Sequence, residues 1–284
     1  AIELDFLRQL DSFQLALKRK VHAQYQGGRQ TTLTGQGLLF KDYREYVPGD
    51  DTRFIDWKVY GRTDKLFIKR FEEERNMVVH IIVDASASME YASKKLSKFD
   101  YASMIGIGFS YMALRNNEKF NFITFADKLD LVQARKGVDQ LMSIVDRLNK
   151  TKPAGKSEFR GSLEDYKKNI TSKSMVVIIS DFLYDIEEFK EVVNRYRRSE
   201  VVVVQVLDPA EKQLSIQGDV ILKDSEMDTK LRTFISRRTV KKYIDKLEEH
   251  TAQLRNICEQ NDAKFISITT DSPVFDVFYH SVNG

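Results

Sequence analysis

From residue 77 onward, short apolar runs alternate with amphipathic stretches along the chain. The runs at 78–83, 120–125, 175–180, 201–207 and 264–268 are rich in β-branched and aromatic residues and predict strands. Between them, Val138, Leu141, Met142, Val145 and Leu148 recur at helical spacing, as do Ile186, Phe189, Val192, Val193 and Tyr196. Val240, Tyr243, Ile244, Leu247, Leu254 and Ile257 mark a long late helix. The stretch 99–114 is apolar nearly all round and carries Gly106 and Gly108, which predicts a helix buried against a sheet. Apolar strands without polar alternation, separated by helices, imply an α/β fold whose mostly parallel sheet is covered on both faces. In such sheets ligands sit at the carboxyl ends of the strands.

The first 76 residues read differently. Leu7, Leu10, Leu17 and Val21 predict a helix over the first 25 residues, and the glycines and threonines of 26–37 predict a loop. Residues 38–74 are dense in charge and aromatics and end in a β-like alternation at 66–71. The expected organisation is an N-terminal helical and β-containing accessory region, 1–76, followed by the α/β domain, 77–284. With 284 residues, 42% of them hydrophobic, the chain can build one sizeable core plus such an addition.

Composition narrows the function classes. Lys and Arg total 45 against 42 Asp and Glu, with no long basic block, so nucleic acid is not the expected partner. The single cysteine, Cys258, excludes an intramolecular disulfide and a cysteine-based zinc cluster, and is expected in the core. No run approaches the roughly 18 apolar residues of a membrane span, and the amino end lacks a signal-peptide pattern. The expectation is a soluble cytoplasmic protein, or, since the chain opens on Ala1, a soluble piece of something longer.

Candidate chemistry centres on Asp84-Ala85-Ser86-Ala87-Ser88, directly after the strand at 78–83. One carboxylate and two hydroxyls around a point are hard oxygen donors suited to Mg²⁺ or a similar cation. The structural alternative is helix capping, for which Asp and Ser after a strand also serve. Ser180-Asp181 ends another strand, and Gly155-Lys156-Ser157 forms an irregular segment before a helix expected to start near Ser162. All three loops should open on one rim.

Asp84, Ser86, Ser88, a loop hydroxyl and a later Asp together resemble the metal-ion-dependent adhesion site of von Willebrand factor A (vWA) domains. That resemblance implies a Rossmann-like vWA fold. It also implies a divalent cation (Mg²⁺, or Mn²⁺ or Ca²⁺) held by Asp84, Ser86, Ser88, Ser157 and Asp181, with a partner's acidic group completing the shell. Ser157 is favoured over Ser162 for the family's threonine position because Leu163 lies six residues after it. Ser for Thr keeps the hydroxyl and drops the methyl.

The segment 40–58, FKDYREYVPGDDTRFIDWK, with Arg62-Thr63 and Glu73-Glu74-Arg75 after it, resembles the bacterial family catalogued as domain of unknown function fifty-eight. The resemblance spans about residues 35–207. It implies a non-enzymatic interaction module working beside a MoxR-type AAA+ ATPase in a chaperone-like or assembly role.

Physically, Pro48-Gly49-Asp50 is a turn signal. Arg44, Glu45, Asp50, Asp51, Arg53 and Asp56 stand too close together to be independent. Two readings stay open. One is a salt-bridged turn with Trp57 as its apolar anchor; the other is a partner-docking surface formed by these residues and Trp57.

Other chemistries fit poorly. Gly155-Lys156-Ser157 lacks the glycine five residues earlier and the preceding strand of a phosphate-binding loop. Asp84 as the nucleophile of a metal-dependent phosphatase wants a second acid where Ser86 stands, and this remains the rival enzyme reading. A metal-free scaffold is the third. Neither Ser86 nor Ser88 lies in a hydrolase elbow. His22, His80, His250 and His280 are scattered, and the basic run 232–242 reads as a solvated face.

Overall fold

A computed structural model describes residues 6, 8–12, 38–73, 77–135, 137–172, 174–214, 218–223 and 230–283. Internal contacts divide the chain into two units, residues 21–76 and residues 1–20 together with 77–284.

In the small unit, β1 (Leu38–Glu45) pairs antiparallel with β2 (Phe67–Glu73), with a register shift between Phe40 and Asp42. The connection carries a 3₁₀ turn, Thr52–Phe54, and a helix, Trp57–Thr63. Asp56 starts that helix by accepting the amides of Lys58 and Val59, as an N-capping carboxylate does. Ile55 bridges to Ile68, and both are buried.

The large unit is built on a six-stranded sheet. Its members are β3 (Val78–Asp84), β4 (Lys119–Phe125), β5 (Leu129–Arg135), β6 (Ser174–Ser180), β7 (Glu200–Leu207) and, after a hairpin of β8 (Gly218–Lys223) and β9 (Lys230–Ile235), β10 (Lys264–Thr269). The order is β10-β7-β6-β3-β4-β5, parallel throughout except for β5 against β4. Successive side chains of a strand point to opposite faces. Val79, Ile81 and Val83 accordingly join one core, with the helices Lys98–Arg115, Val138–Lys150 and Phe275–Asn283. Ile82 joins the other, with Phe159–Lys167, Ile186–Tyr196 and Arg237–Gln260. Both faces are thus covered, which is why the strands read as unbroken apolar runs.

The helix Lys98–Arg115 lies close enough to its neighbours to require glycine. A Cβ on Gly108 would fall 2.0 Å from Phe278 Cζ, and one on Gly106 2.7 Å from Phe122 Cε2. Cys258 is buried among the second core's side chains.

Two expectations are revised, and a third lies mostly outside the described residues. Residues 1–20 group with the large unit, not the accessory region: Phe6 and Leu10 are buried in the first core, Phe6 against Phe275 at 5.9 Å, and Asp11 pairs with Arg115. Of the helix expected over the first 25 residues, 6 and 8–12 are helical; the remainder and the loop at 26–37 lie outside the described residues. The helix expected near Ser162 begins at Phe159. No helix among the described residues is long and apolar enough to cross a membrane.

Candidate metal centre

Asp84 is the last residue of β3, and its Oδ1 accepts the Ser86 amide at 2.8 Å, turning the chain into the 3₁₀ helix Ala87–Glu90. The segment before Phe159 is stitched to this loop by the backbone, with Ala154 N donating to Ala85 O and Ala87 N to Gly155 O, each at 3.0 Å. Gly155 has φ +82°, and a Cβ there would meet the Asp127 carboxylate at 2.5 Å. Asp127 in turn accepts the Lys156 amide at 2.7 Å. These bonds deliver Ser157 Oγ to 3.5 Å from Asp84 Oδ2, while Ser162 sits inside the following helix.

The third loop is shaped by Phe182, a buried residue with φ +53°, a conformation bulky side chains rarely adopt. Its neighbours hold it there: Phe182 N donates to Ser180 Oγ at 3.0 Å, Gln205 Nε2 to Asp181 O at 3.2 Å and His250 Nε2 to Phe182 O at 2.7 Å. The turn aims Asp181 at one loop and Tyr184 at another.

A continuous network results. Ser86 Oγ lies 3.2 Å from Ser88 Oγ, and Ser88 Oγ donates to Asp181 Oδ2 at 3.0 Å. Asp84 Oδ2 accepts from Ser180 Oγ at 2.8 Å and from Tyr184 Oη, which also receives the Ser157 hydroxyl at 2.9 Å. The structure therefore brings Asp84, Ser86, Ser88, Ser157 and Asp181 together on one rim.

It also adds Ser180, Tyr184 and Lys98. Lys98 has a fully buried side chain whose Nζ sits 2.8 Å from Asp181 Oδ2 and 2.7 Å from Glu211 Oε1. Burial pulls this ammonium's pKa down, but the two carboxylates outweigh it and leave it above its ordinary value. Asp84 is pushed up to about 6 by burial and by the Asp181 charge, against the opposing hydrogen bonds of Tyr184 and Ser86. Burial and both carboxylates hold the Tyr184 phenol well above the usual range.

These donors fit a hard divalent cation. Two carboxylates and three hydroxyls converge, and the rim opens into a cleft of about 750 Å³ lined by Ser88, Ser157, Asp181, Leu183 and Tyr184. Among the described residues no cluster of three His, Cys, Asp or Glu side chains is poised for a metal. A cation held here would have to draw on hydroxyls.

In the small unit the charged residues neutralise one another locally. Arg44 pairs with Asp50 at 2.7 Å, Arg53 with Asp51 at 2.6 Å and Lys65 with Glu45 at 3.1 Å. Asp56 takes Tyr43 Oη at 2.8 Å and Lys69 Nζ at 3.1 Å, and these bonds and its capped amides lower its pKa to about 2. Trp57 corrects one expectation. It is 65% exposed, edge-on to Tyr60 at 6.2 Å, so it does not anchor the turn. Its place at the first position of a helix points the ring outward while Ile55 takes the buried position.

Two histidines, His80 and His250, serve structural roles. His80 is buried between Tyr166 Oη at 2.6 Å and Ser174 Oγ at 3.2 Å, and burial followed by the nearby Lys167 charge lowers its pKa to about 4. His250 serves the Phe182 turn, and His280 is exposed. His22 lies outside the described residues. The basic Arg237, Arg238, Lys241 and Lys242 are exposed on the first turns of their helix.

A family profile described as "Protein of unknown function DUF58" matches residues 42–253. The uncharacterized protein Rv1480 of Mycobacterium tuberculosis is 28% identical over 222 residues, covering 76% of this chain and 70% of its own length. Among solved structures, an aerotolerance-related membrane protein from Bacteroides fragilis is similar at a TM-score of 0.46 and 17% identity, covering 72% of this chain and 96% of that one. The SpRpn10 VWA domain is similar at 0.43 and 10% identity, covering 71% and 93%.

Proposed function

The chain belongs to the DUF58 family of proteins of unknown function, and from that premise we propose that it is a non-enzymatic, vWA-type interaction module whose strand-end loops hold a divalent cation for a partner's carboxylate. The observation that carries this reading is the convergence of Asp84, Ser86, Ser88, Ser157 and Asp181 at one rim. These residues would hold Mg²⁺, with Mn²⁺ or Ca²⁺ as alternatives. When bound, the cation supplies a Lewis-acidic centre with free positions for an anionic oxygen.

The chain's own residues supply the rest. Ser180 and Tyr184 fix the orientation of the Asp84 carboxylate, and Lys98 fixes that of Asp181. Asp84 is wholly buried and its oxygens are engaged, which suits a ligand better than a nucleophile. In the small unit, the paired charges around an outward-facing Trp57 favour the docking reading, since exposed aromatics beside Arg are the usual interface anchors. For the partner, the resemblance in residues 40–58 supports a MoxR-type AAA+ ATPase or its client, and for the compartment we propose the cytoplasm.

The test is capture of that ATPase with Mg²⁺ and with chelator. The expected outcome is cation-dependent capture that Asp84→Ala abolishes while the circular dichroism spectrum is kept. Equal capture in chelator would sink the reading, and Mg²⁺-dependent phosphate-ester turnover lost in Asp84→Asn would replace it with a phosphatase.

A further inference from the structure

Lys98 occupies an unfavourable place. Its ammonium is fully buried, and it is the first residue of the helix Lys98–Arg115, where the exposed amide dipoles favour negative charge. Burying an ion pair costs desolvation that an apolar side chain of the same length avoids. The ion pair is nevertheless well built. Lys98 Nζ contacts Asp181 Oδ2 at 2.8 Å and Glu211 Oε1 at 2.7 Å, and Glu211 is fixed from its other side, where Oε2 accepts the Asp208 amide at 2.8 Å.

The position of that charge matters for anything bound between Asp84 and Asp181. With Lys98 counted, the three carboxylates of Asp84, Asp181 and Glu211 carry a net two negative charges instead of three. A divalent cation then leaves the cluster neutral, where without Lys98 it would stay one unit negative and repel an incoming carboxylate. Glu211 is 18% exposed and tempers the ammonium from the solvent side.

We propose that Lys98 is the specificity-determining residue of this site: it weakens the hold on the cation and in exchange makes the loaded centre a receptor for anions. The inference rests on the metal reading above and deepens it. Lys98 acts through Asp181, so it is a positioning and charge-setting residue, not a ligand.

Two substitutions with opposite signs test it. Lys98→Gln keeps a donor for both carboxylates and removes the charge; Glu211→Gln keeps the Lys98 charge and removes its counterweight. Mn²⁺ affinity is read by isothermal titration, and anion affinity by the fall in water-proton relaxation as acetate displaces water from bound Mn²⁺.

Lys98→Gln is expected to bind Mn²⁺ about tenfold tighter and to need about tenfold more acetate, near the water-screened end of the range for a unit charge because Lys98 acts through Asp181 with Glu211 beside it. Glu211→Gln is expected to shift both quantities the other way, by less. A merely structural role would weaken Mn²⁺ binding in both variants, and that result, or unchanged affinities, overturns the inference. If Lys98→Gln does not fold, Glu211→Gln decides alone: weaker Mn²⁺ with tighter acetate supports the proposal, and anything else overturns it. A wild-type protein that binds no Mn²⁺ overturns the metal reading itself and the inference with it, whereas Mn²⁺ binding without the opposed shifts overturns only the inference.

Discussion

The two units each gather acidic residues, and they treat them in opposite ways. In the turn of the small unit every carboxylate has a basic or amide partner beside it, and Asp56 is held ionised, at about 2. At the rim of the large unit Asp84 is buried beside a second carboxylate and is pushed up to about 6. Local neutralisation stabilises a turn and asks nothing of the outside. At the rim Asp181 has the buried Lys98 ammonium while Asp84, among the described residues, has only hydroxyls and an amide. A buried acid raised in this way is the kind of perturbation found more often at functional sites than in scaffolds.

The sharpest way to break this contrast is to supply the cation. With Mg²⁺ at about one hundred times its dissociation constant, wild-type protein should gain about 2.7 kcal/mol in urea unfolding, and Asp84→Asn none. An equal gain in both would erase the difference between the regions.

Next in size is the pH dependence without cation. Asp84 has a higher pKa folded than unfolded, so its stabilising contribution is complete below about pH 4 and is lost as pH rises through about 6. Asp56 has a lower pKa folded, so its contribution is present above about pH 4 and is lost as pH falls towards 2. Urea unfolding of Asp84→Asn and Asp56→Asn against pH should therefore show differences from wild type of opposite slope. Slopes of the same sign would show that the two carboxylates do not differ as described.

The smallest effects lie within the small unit. Asp56→Ala should cost about 1–2 kcal/mol through the lost helix cap. Trp57→Ala, exposed as it is, should stay within about 0.5 kcal/mol of wild type while reducing ATPase capture. A large stability loss at Trp57 would return it to the role of an anchor.

How much of this was readable beforehand follows from burial. β3, β4, β6, β7 and β10 were legible because both of their faces are covered, so apolar residues predominate on both faces. β5 was not: it lies at the sheet edge, Leu131 is exposed, and Asp130 and Arg147 meet outside the core, which dilutes the pattern to that of a loop. Asp84, Ser86 and Ser88 are contiguous and announce themselves, whereas Ser157 and Asp181 needed the rim geometry and a family pattern. Lys98 was invisible because lysine ordinarily belongs on the surface and no spacing marks a buried one. Tyr184 was missed because a left-handed Phe182 swings it towards Asp84, and no local signal predicts that conformation for phenylalanine. For Trp57 the anchor reading misled, since a tryptophan in a charged segment suggests burial, and the ring is exposed.

The parallel order of the sheet has a consequence for how the molecule comes into being. β3 lies between β4 and β6, and the contact of Tyr184 with Asp84 joins residues 100 apart in sequence. Such distant pairings close large loops before they are rewarded and form slowly. A nascent chain that has emerged through β4 already displays Asp84, Ser86 and Ser88, yet it owns no Asp181. The rim is thus a late product of folding, and a cation that requires both loops would recognise only chains whose central strands have already found one another.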